Sequence, residues 1–378
     1  MIRYLSKTSP RALKGVALLR LDFNTEDNWR MRAATPTIKF LLRYASKILI
    51  VSHKGRPLHT LIRANGRIVG AEKKLGLLED AKTLERLLRK KVNFIPRFNF
   101  KRIDDVISRA REKSIFVLEN IRFLKSESTK KPELAKQLAQ LVDYYVNDAF
   151  AVSHRSSDSV AKIEKFLPSY AGLELEAELK SLTHILAKPK QPLVLILGGS
   201  KASDKLGIIK NLKGKVDLFI LGGAPANTIF FLKGMDVKKS LRDRDRKDLK
   251  NLKAILNYPN LCLPADFKWK DGAILDIGEK TIKVFEEKIK NARTIFWNGP
   301  MGLMEKKPYD KGTLALARAI VKNRKAFTIA GGGETVMFLK KHKLDTKFSF
   351  ISTGGGAMLD FLAGKKLPGI EALKYGKR

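Results

Sequence analysis

Short, largely apolar runs recur along this chain, separated by stretches with helical spacing, and that alternation limits the fold more than any other feature. In the first half the runs fall at residues 16–21, 48–51, 92–95, 115–118 and 144–146. In the second they fall at residues 193–197, 218–221, 294–297, 327–330 and 348–351. A continuous run, unlike an alternating one, suits a strand buried on both faces, as in a parallel sheet covered by helices. Between the two sets lies GLELEAELKSLTHILAK, residues 172–188, with Leu173, Leu175, Leu179, Leu182 and Leu186 at helical spacing, acids early and Pro189 just beyond. It reads as one connecting helix. The pattern therefore predicts an α/β protein of two doubly wound parallel-sheet domains, residues 1–171 and 189–360, joined by helix 172–188, with a trailing segment at 361–378.

At 378 residues the chain is long enough for two domains that each bury a core. No run approaches the roughly 18 apolar residues of a membrane span, and MIRYLSKTSP lacks the apolar stretch of a secretory signal. A cytoplasmic protein without membrane association is expected. The single cysteine, Cys262, excludes an internal disulfide and a cysteine-built metal site. The charge is unusual: 75 Lys and Arg against 38 Asp and Glu give +37. Such a field steers anionic substrates inward and also binds nucleic acid non-specifically. A general lysine bias with solvated side chains produces the same number, so charge supports an anionic ligand without naming one.

In an open parallel sheet, ligands bind outside the carboxyl ends of the strands. In the first half those positions hold Asp22 and Asn24, His53 and Arg56, Arg122, and His154 with Arg155; Arg30 follows shortly after the first strand. Several arginines and two histidines on one rim make a site for a small polyanion, with Asp22 and Asn24 suited to hydroxyls.

The second half offers glycine instead. GGSK at 198–201, GGAPAN at 222–227, WNGPMG at 297–302, GGGET at 331–335 and STGGGA at 352–357 follow its apolar runs. Glycine lets a backbone approach a ligand closely, and helix N-termini opened by such turns attract phosphate. After Gly199, Lys201 and Lys205 sit where two ammonium groups reach a polyphosphate, and Ser203 with Asp204 opens a helix whose amides are expected to face the anion. The string does not match a Walker A loop, and no GxGxxG fingerprint is present.

The motifs LLRLDFN, RAATPTIKFLL, VSHKGRP, ENIRF, VNDAFAVSHR, ILGGSKASDK, WNGPMG and STGGGA occur in the order found in the phosphoglycerate kinase family, which the chain resembles over nearly its whole length. The resemblance implies two Rossmann-like domains, the N-terminal one binding 3-phosphoglycerate and the C-terminal one binding ATP or ADP with Mg2+, with hinge closure between them. It implies that the C-terminal segment around LPGIEAL returns to the N-terminal domain. The reaction implied is reversible phosphoryl transfer between ATP and the carboxylate of 3-phosphoglycerate, giving ADP and 1,3-bisphosphoglycerate, in glycolysis and gluconeogenesis.

Position by position, the resemblance assigns the glycerate to Asp22, Asn24, Arg30, His53, Arg56, Arg122 and Arg155, with Arg30 also touching the transferred group. Lys201 meets that group and Lys205 the nucleotide phosphates; Gly199, Gly222, Gly223, Gly278 and Asn298 line the nucleotide slot and Glu305 meets the ribose. Gly332, Gly333, Glu334 and Thr335 face phosphates and magnesium, while Gly354 and Gly355 offer amides to the moving phosphoryl group. Family precedent and charge repulsion both favour a monomer.

Several positions depart from the family pattern. GGGET stands for GGGDT, placing Glu334 where an aspartate faces magnesium. GGAPAN brings Pro225 near the base, which opens the choice between ATP and GTP. NDAFA stands for NDAFG, Ser157 occupies a position often held by a second histidine, and LHTLIRANGRIVG at 58–70 is atypical. On the charge and Glu334, a second class stays open: a polyanion- or RNA-binding protein of this fold with kinase chemistry lost or secondary.

Overall fold

The computed structural model describes residues 1–25, 27–57, 61–62, 68–69 and 73–375. Of the atypical stretch 58–70, only two short strands are described; the rest lies outside the described residues.

The chain forms two compact units, Met1–Leu179 with Lys366–Arg378, and Lys180–Lys365. The first is built on β1 (Val16–Arg20), β2 (Lys47–Val51), the small antiparallel pair β3 (Leu61–Ile62) and β4 (Ile68–Val69), then β5 (Val92–Ile95), β6 (Ile115–Leu118), β7 (Tyr144–Asn147) and β8 (Ser169–Ala171). Six of these form one parallel sheet in the order β5-β6-β2-β1-β7-β8. The chain walks outward from β1 through β2, then returns to place β7 on β1's other side. The strand order thus reverses between β1 and β7, and their carboxyl ends flank the crevice where such sheets bind ligands.

The second unit repeats the plan with β9 (Leu193–Leu197), β10 (Leu218–Leu221), β11 (Leu261–Cys262), the hairpin β12 (Phe267–Lys270) and β13 (Ala273–Ile277), then β14 (Thr294–Asn298), β15 (Phe327–Gly331) and β16 (Phe350–Ser352). Its parallel sheet runs β11-β10-β9-β14-β15-β16, reversing between β9 and β14. Every residue of β9 and β14 is buried, which explains their unbroken apolar runs. Each sheet anchors its own core: Leu19, Ile50, Val117 and Val146 in the first unit, Ile196, Ile295, Trp297 and Ala330 in the second.

Helix Leu173–Ala187 forms as its leucine spacing predicts, and the division between the units falls inside it. Its N-terminus is held within the first unit: the Leu175 amide donates to Asp148 Oδ1 at 3.0 Å and the Leu173 amide to Thr37 Oγ1 at 3.0 Å. Helix Pro368–Tyr375 packs in the same unit, where the Gly369 amide donates to the Ser153 carbonyl at 2.8 Å. One expectation is corrected. The last strand begins at Phe350, leaving Phe348 outside it but still buried against Trp297. The β12–β13 hairpin is an addition; its Asp271-Gly272 turn, with φ of 51° and 79°, is a strong short-range hairpin signal.

Candidate active site

At the carboxyl end of β1 the chain is pinned so that alternate side chains face the crevice. Ser52 Oγ donates to the Leu21 carbonyl and accepts from the Phe23 amide, both at 2.9 Å. Asp22, between them, is 6% exposed. Its Oδ1 accepts from the Asn24 amide at 2.8 Å and its Oδ2 from Arg30 Nη1 at 2.9 Å. Asn24 Oδ1 takes the Gly55 amide at 2.8 Å, and Arg122 Nη1 donates to the Gly55 carbonyl. The loops after β1, β2 and β6 are thereby tied together. Arg122, His154 and Arg155 share, with Arg20, the lining of a cavity of about 300 Å³, while Arg56 stands exposed beside Gly55.

The electrostatics follow from crowding cations with few anions. Burial, then Arg20, Arg122, Arg155 and Arg30, push the His53 pKa well below that of a free histidine, so the ring is neutral. Burial and the neighbouring Arg155 and Arg20 lower Arg122 to about 10, and Arg155 is lowered by burial and by Arg56. An anionic ligand relieves this repulsion, which is how a site of this kind gains affinity. Arg20 lines this cavity although the strand-end rule passes over it, because it lies inside β1; the signal was an arginine interrupting an apolar run.

The second unit solves a similar problem with backbone. Gly198 and Gly199 leave β9 and donate to the carbonyls of Asn298 (2.9 Å) and Pro300 (2.8 Å) in the turn after β14. A Cβ on Gly198 would stand 2.1 Å from the Pro300 oxygen, and Gly199 has φ +86°, so both positions require glycine. Gly222 and Gly223 are likewise close-packed, their amides on the Leu197 and Met301 carbonyls. These amides are used inside the fold. The expectation that the helix opened by Ser203 turns its amides to an anion is corrected too: buried Asp243 accepts from the Ala202 amide at 3.1 Å and the Ser203 amide at 2.7 Å. The cationic side chains remain, Lys201 exposed and Lys205 buried with its pKa lowered by burial.

Beside this turn is a cavity of about 320 Å³ lined by Gly199, Gly223, Pro300, Leu303, Glu305 and Glu334, among others. Leu241, Ile274 and Leu275 supply apolar walls, and Asn227 and Lys239 polar ones. The hairpin residues and Lys239 were not expected here; the Asp-Gly turn was the signal for the hairpin. Asn298 donates to the Gly331 carbonyl at 3.0 Å, and Thr335 Oγ1 accepts from the Gly299 amide at 2.8 Å. Gly332 has φ +92°, whereas the position of a Cβ on Gly333 is open. The Gly354 amide donates to Ser352 Oγ at 3.1 Å, and Gly355 precedes helix Gly356–Leu362. Gly278 is not among the slot's lining residues; its amide donates to the Asp266 carbonyl at 2.9 Å.

A family model described as phosphoglycerate kinase matches residues 14–365. The chain belongs to the phosphoglycerate kinase family. It is 39% identical to the phosphoglycerate kinase of Dictyoglomus turgidum over 96% of each chain, and 38% identical to that of Thermosipho africanus over 97% of each. The solved phosphoglycerate kinase of Coxiella burnetii superposes with a TM-score of 0.81 at 33% identity, covering 99% of both chains. That of Pyrococcus horikoshii gives 0.83 at 29%, covering 99% of this chain and 98% of its own. The chain is thus a kinase with the two-domain phosphoglycerate kinase fold and that family's activity.

Magnesium, which the family implies, fits the donors available. Among the described residues no group of three or more His, Cys, Asp or Glu could hold a metal alone. A magnesium ion carried by nucleotide phosphates needs only one or two protein carboxylates. Glu334 opens helix Gly333–Lys341, lines the slot, and has Oε2 3.9 Å from where a Cβ on Gly199 would lie. No helix is long and apolar enough to cross a membrane among the described residues.

Proposed function

We propose that the phosphoglycerate kinase reaction is divided here between a side-chain site for 3-phosphoglycerate and a turn-built site for ATP or ADP. The observation that carries the reading is the group at the β1/β7 reversal: Arg30 paired with Asp22, neutral His53, and Arg122 and Arg155 around a cavity with excess positive charge. Arg56, Arg122 and Arg155 hold the phosphate of the acceptor. Asp22 and Asn24 take its hydroxyl and His53 donates to it. Arg30 turns from Asp22 toward the carboxylate and the arriving phosphoryl group.

In the second unit the slot takes the nucleoside between Leu241, Ile274 and Pro300, with Glu305 at the ribose. Lys205 meets the nucleotide phosphates and Lys201 the transferred group. Glu334, with Gly332, Gly333 and Thr335 beside it, would hold nucleotide-borne magnesium, which neutralises phosphate charge. Gly354 and Gly355 line the path of transfer.

The acceptor carboxylate, with a pKa of roughly 3.5, is already ionised at neutral pH. No general base is needed, and catalysis rests on in-line positioning and on positive charge around the phosphoryl group in flight. Transfer requires both ligands in one water-excluded space, and helix Leu173–Ala187 is the proposed hinge for that closure. The +37 charge is read as a steering field for these anions, and the protein as a cytoplasmic monomer.

The test is a steady-state assay of 3-phosphoglycerate phosphorylation with ATP and magnesium, coupled to NADH consumption. Turnover that needs all three components supports the reading. Folded protein that is inactive across magnesium concentrations overturns it.

A further inference from the structure

His53 is 1% exposed, and what it can offer a ligand depends on which ring nitrogen carries its proton. Arg20 Nη2 stands 3.2 Å from His53 Nδ1. A guanidinium has donors only, so this contact requires Nδ1 to be an acceptor. No carboxylate competes for a proton there. Asp22 Oδ1 is 3.9 Å from Nδ1 and already takes the Asn24 amide, while Oδ2 holds Arg30.

Arg20 has no freedom to turn away. Its Nη1 donates to the Leu21 carbonyl and its Nε to Ser159 Oγ at 3.0 Å. Ser159 in turn donates to buried Glu127, from Oγ to Oε1 at 2.6 Å and from its amide to Oε2 at 3.0 Å. Both oxygens of Glu127 accept, as those of a carboxylate do; burial raises its pKa, and the charge of Arg20 and the Ser159 hydrogen bonds oppose that shift. A directional chain thus runs from Glu127 through Ser159 and Arg20 to the histidine ring.

We propose that Arg20, held by Ser159 and Glu127, is a positioning residue that locks His53 in the tautomer protonated on Nε2, so that the ring presents a neutral Nε2–H donor to an oxygen of the acceptor substrate. The donor role rests on the reading of the first half-site given above. Among the described residues none hydrogen-bonds Nε2. The groups facing the ring are Arg20, Arg122, Arg155, Arg30 and Asp22. Four cations against one anion, with burial, keep it neutral where a free histidine would charge; protonating Nδ1 would aim an N–H at the Arg20 guanidinium.

The test is nitrogen-15 NMR of the full chain labelled at its five histidines, with His53 assigned by the signal lost in His53→Gln. In the unliganded wild type at neutral pH, Nε2 is protonated and Nδ1 bare. In Arg20→Met the tautomers mix and His53 titrates at higher pH, while KM for 3-phosphoglycerate rises about fivefold, the worth of one hydrogen bond. KM for ATP stays at the wild-type value. Ser159→Ala keeps the guanidinium but removes its anchor, so it moves both readouts the same way by less, and it serves if Arg20→Met does not fold. A wild-type proton on Nδ1, or an unmoved tautomer and titration in these variants, would overturn the proposal. An unchanged KM for 3-phosphoglycerate in His53→Leu, which has no donor, would instead overturn the substrate contact, a failure the unliganded spectrum keeps separate.

Discussion

The two proposed half-sites occupy equivalent places, each at the strand-order reversal of a six-stranded parallel sheet, yet they are made of different materials. The first is assembled from long charged side chains whose positions are fixed by one another, Arg30 on Asp22 and Arg20 on His53. The second is assembled from turns whose glycines are fixed by the backbone of another turn, as Gly199 is by Pro300. A small acceptor with few atoms must be recognised by directed charge. A nucleotide is held along its length by shape, with a few cations reserved for the phosphates. The difference teaches that substitution should act on ligand chemistry in one unit and on backbone geometry in the other.

The largest effect expected is on catalysis, where the proposed reaction draws on cations of both units. Arg30→Ala and Lys201→Ala should each lower kcat about a hundredfold or more, the cost of a lost transition-state donor, while leaving the melting temperature near wild type. Equal losses from the two units would show that both supply the phosphoryl group's counter-charge; an unaffected kcat in either would break the symmetry.

Next comes a backbone contrast. Gly332→Ala places a Cβ 2.5 Å from Asn298 Nδ2 at φ +92°, and should cost on the order of 1–3 kcal/mol of stability, with a raised KM for ATP. Gly333→Ala meets no atom within 4 Å and should melt as the wild type does. Thermal denaturation of the pair decides whether turn geometry or mere glycine content matters in the second unit.

A smaller effect sharpens the first unit. Burial raises the Asp148 pKa from 3.8 to about 7, so between those values the native state keeps a proton that the unfolded chain releases. Stability should therefore fall as pH rises through that window. Asp148→Asn keeps an oxygen for the Leu175 amide and removes the titration. Its melting temperature should vary less over the same window than that of the wild type.

The smallest effect is expected at Glu334. Shortening it in Glu334→Asp should retain or raise magnesium-dependent turnover, since the carboxylate is kept and phosphates supply other oxygens. A large fall would mean that the glutamate's reach is tuned to this slot, bringing side-chain precision into the turn-built half.

Much of this was legible in the residues because parallel strands announce themselves as apolar runs and the rule of carboxyl ends then points to Asp22, His53, Arg122 and Arg155. Arg20 escaped that rule because its importance lies in what it touches, His53 and Ser159, neither adjacent in sequence. The use of the Gly199 and Ser203 amides inside the fold was not legible, since their acceptors, Pro300 and Asp243, come from distant turns. The short strands β8 and β11 carry too few residues to show a pattern. The β12–β13 hairpin was legible in its Asp-Gly turn, but nothing in that signal says the hairpin lines the slot.

The claim that each unit holds one ligand by its own means is tested most directly by calorimetric titration of 3-phosphoglycerate and of magnesium ATP into wild type, Arg155→Ala and Lys205→Ala. Arg155→Ala should weaken 3-phosphoglycerate about tenfold or more, as loss of a charge-assisted contact does, and leave ATP unchanged. Lys205→Ala should do the reverse. A variant that weakens both ligands equally, or the opposite ligand, would contradict the division.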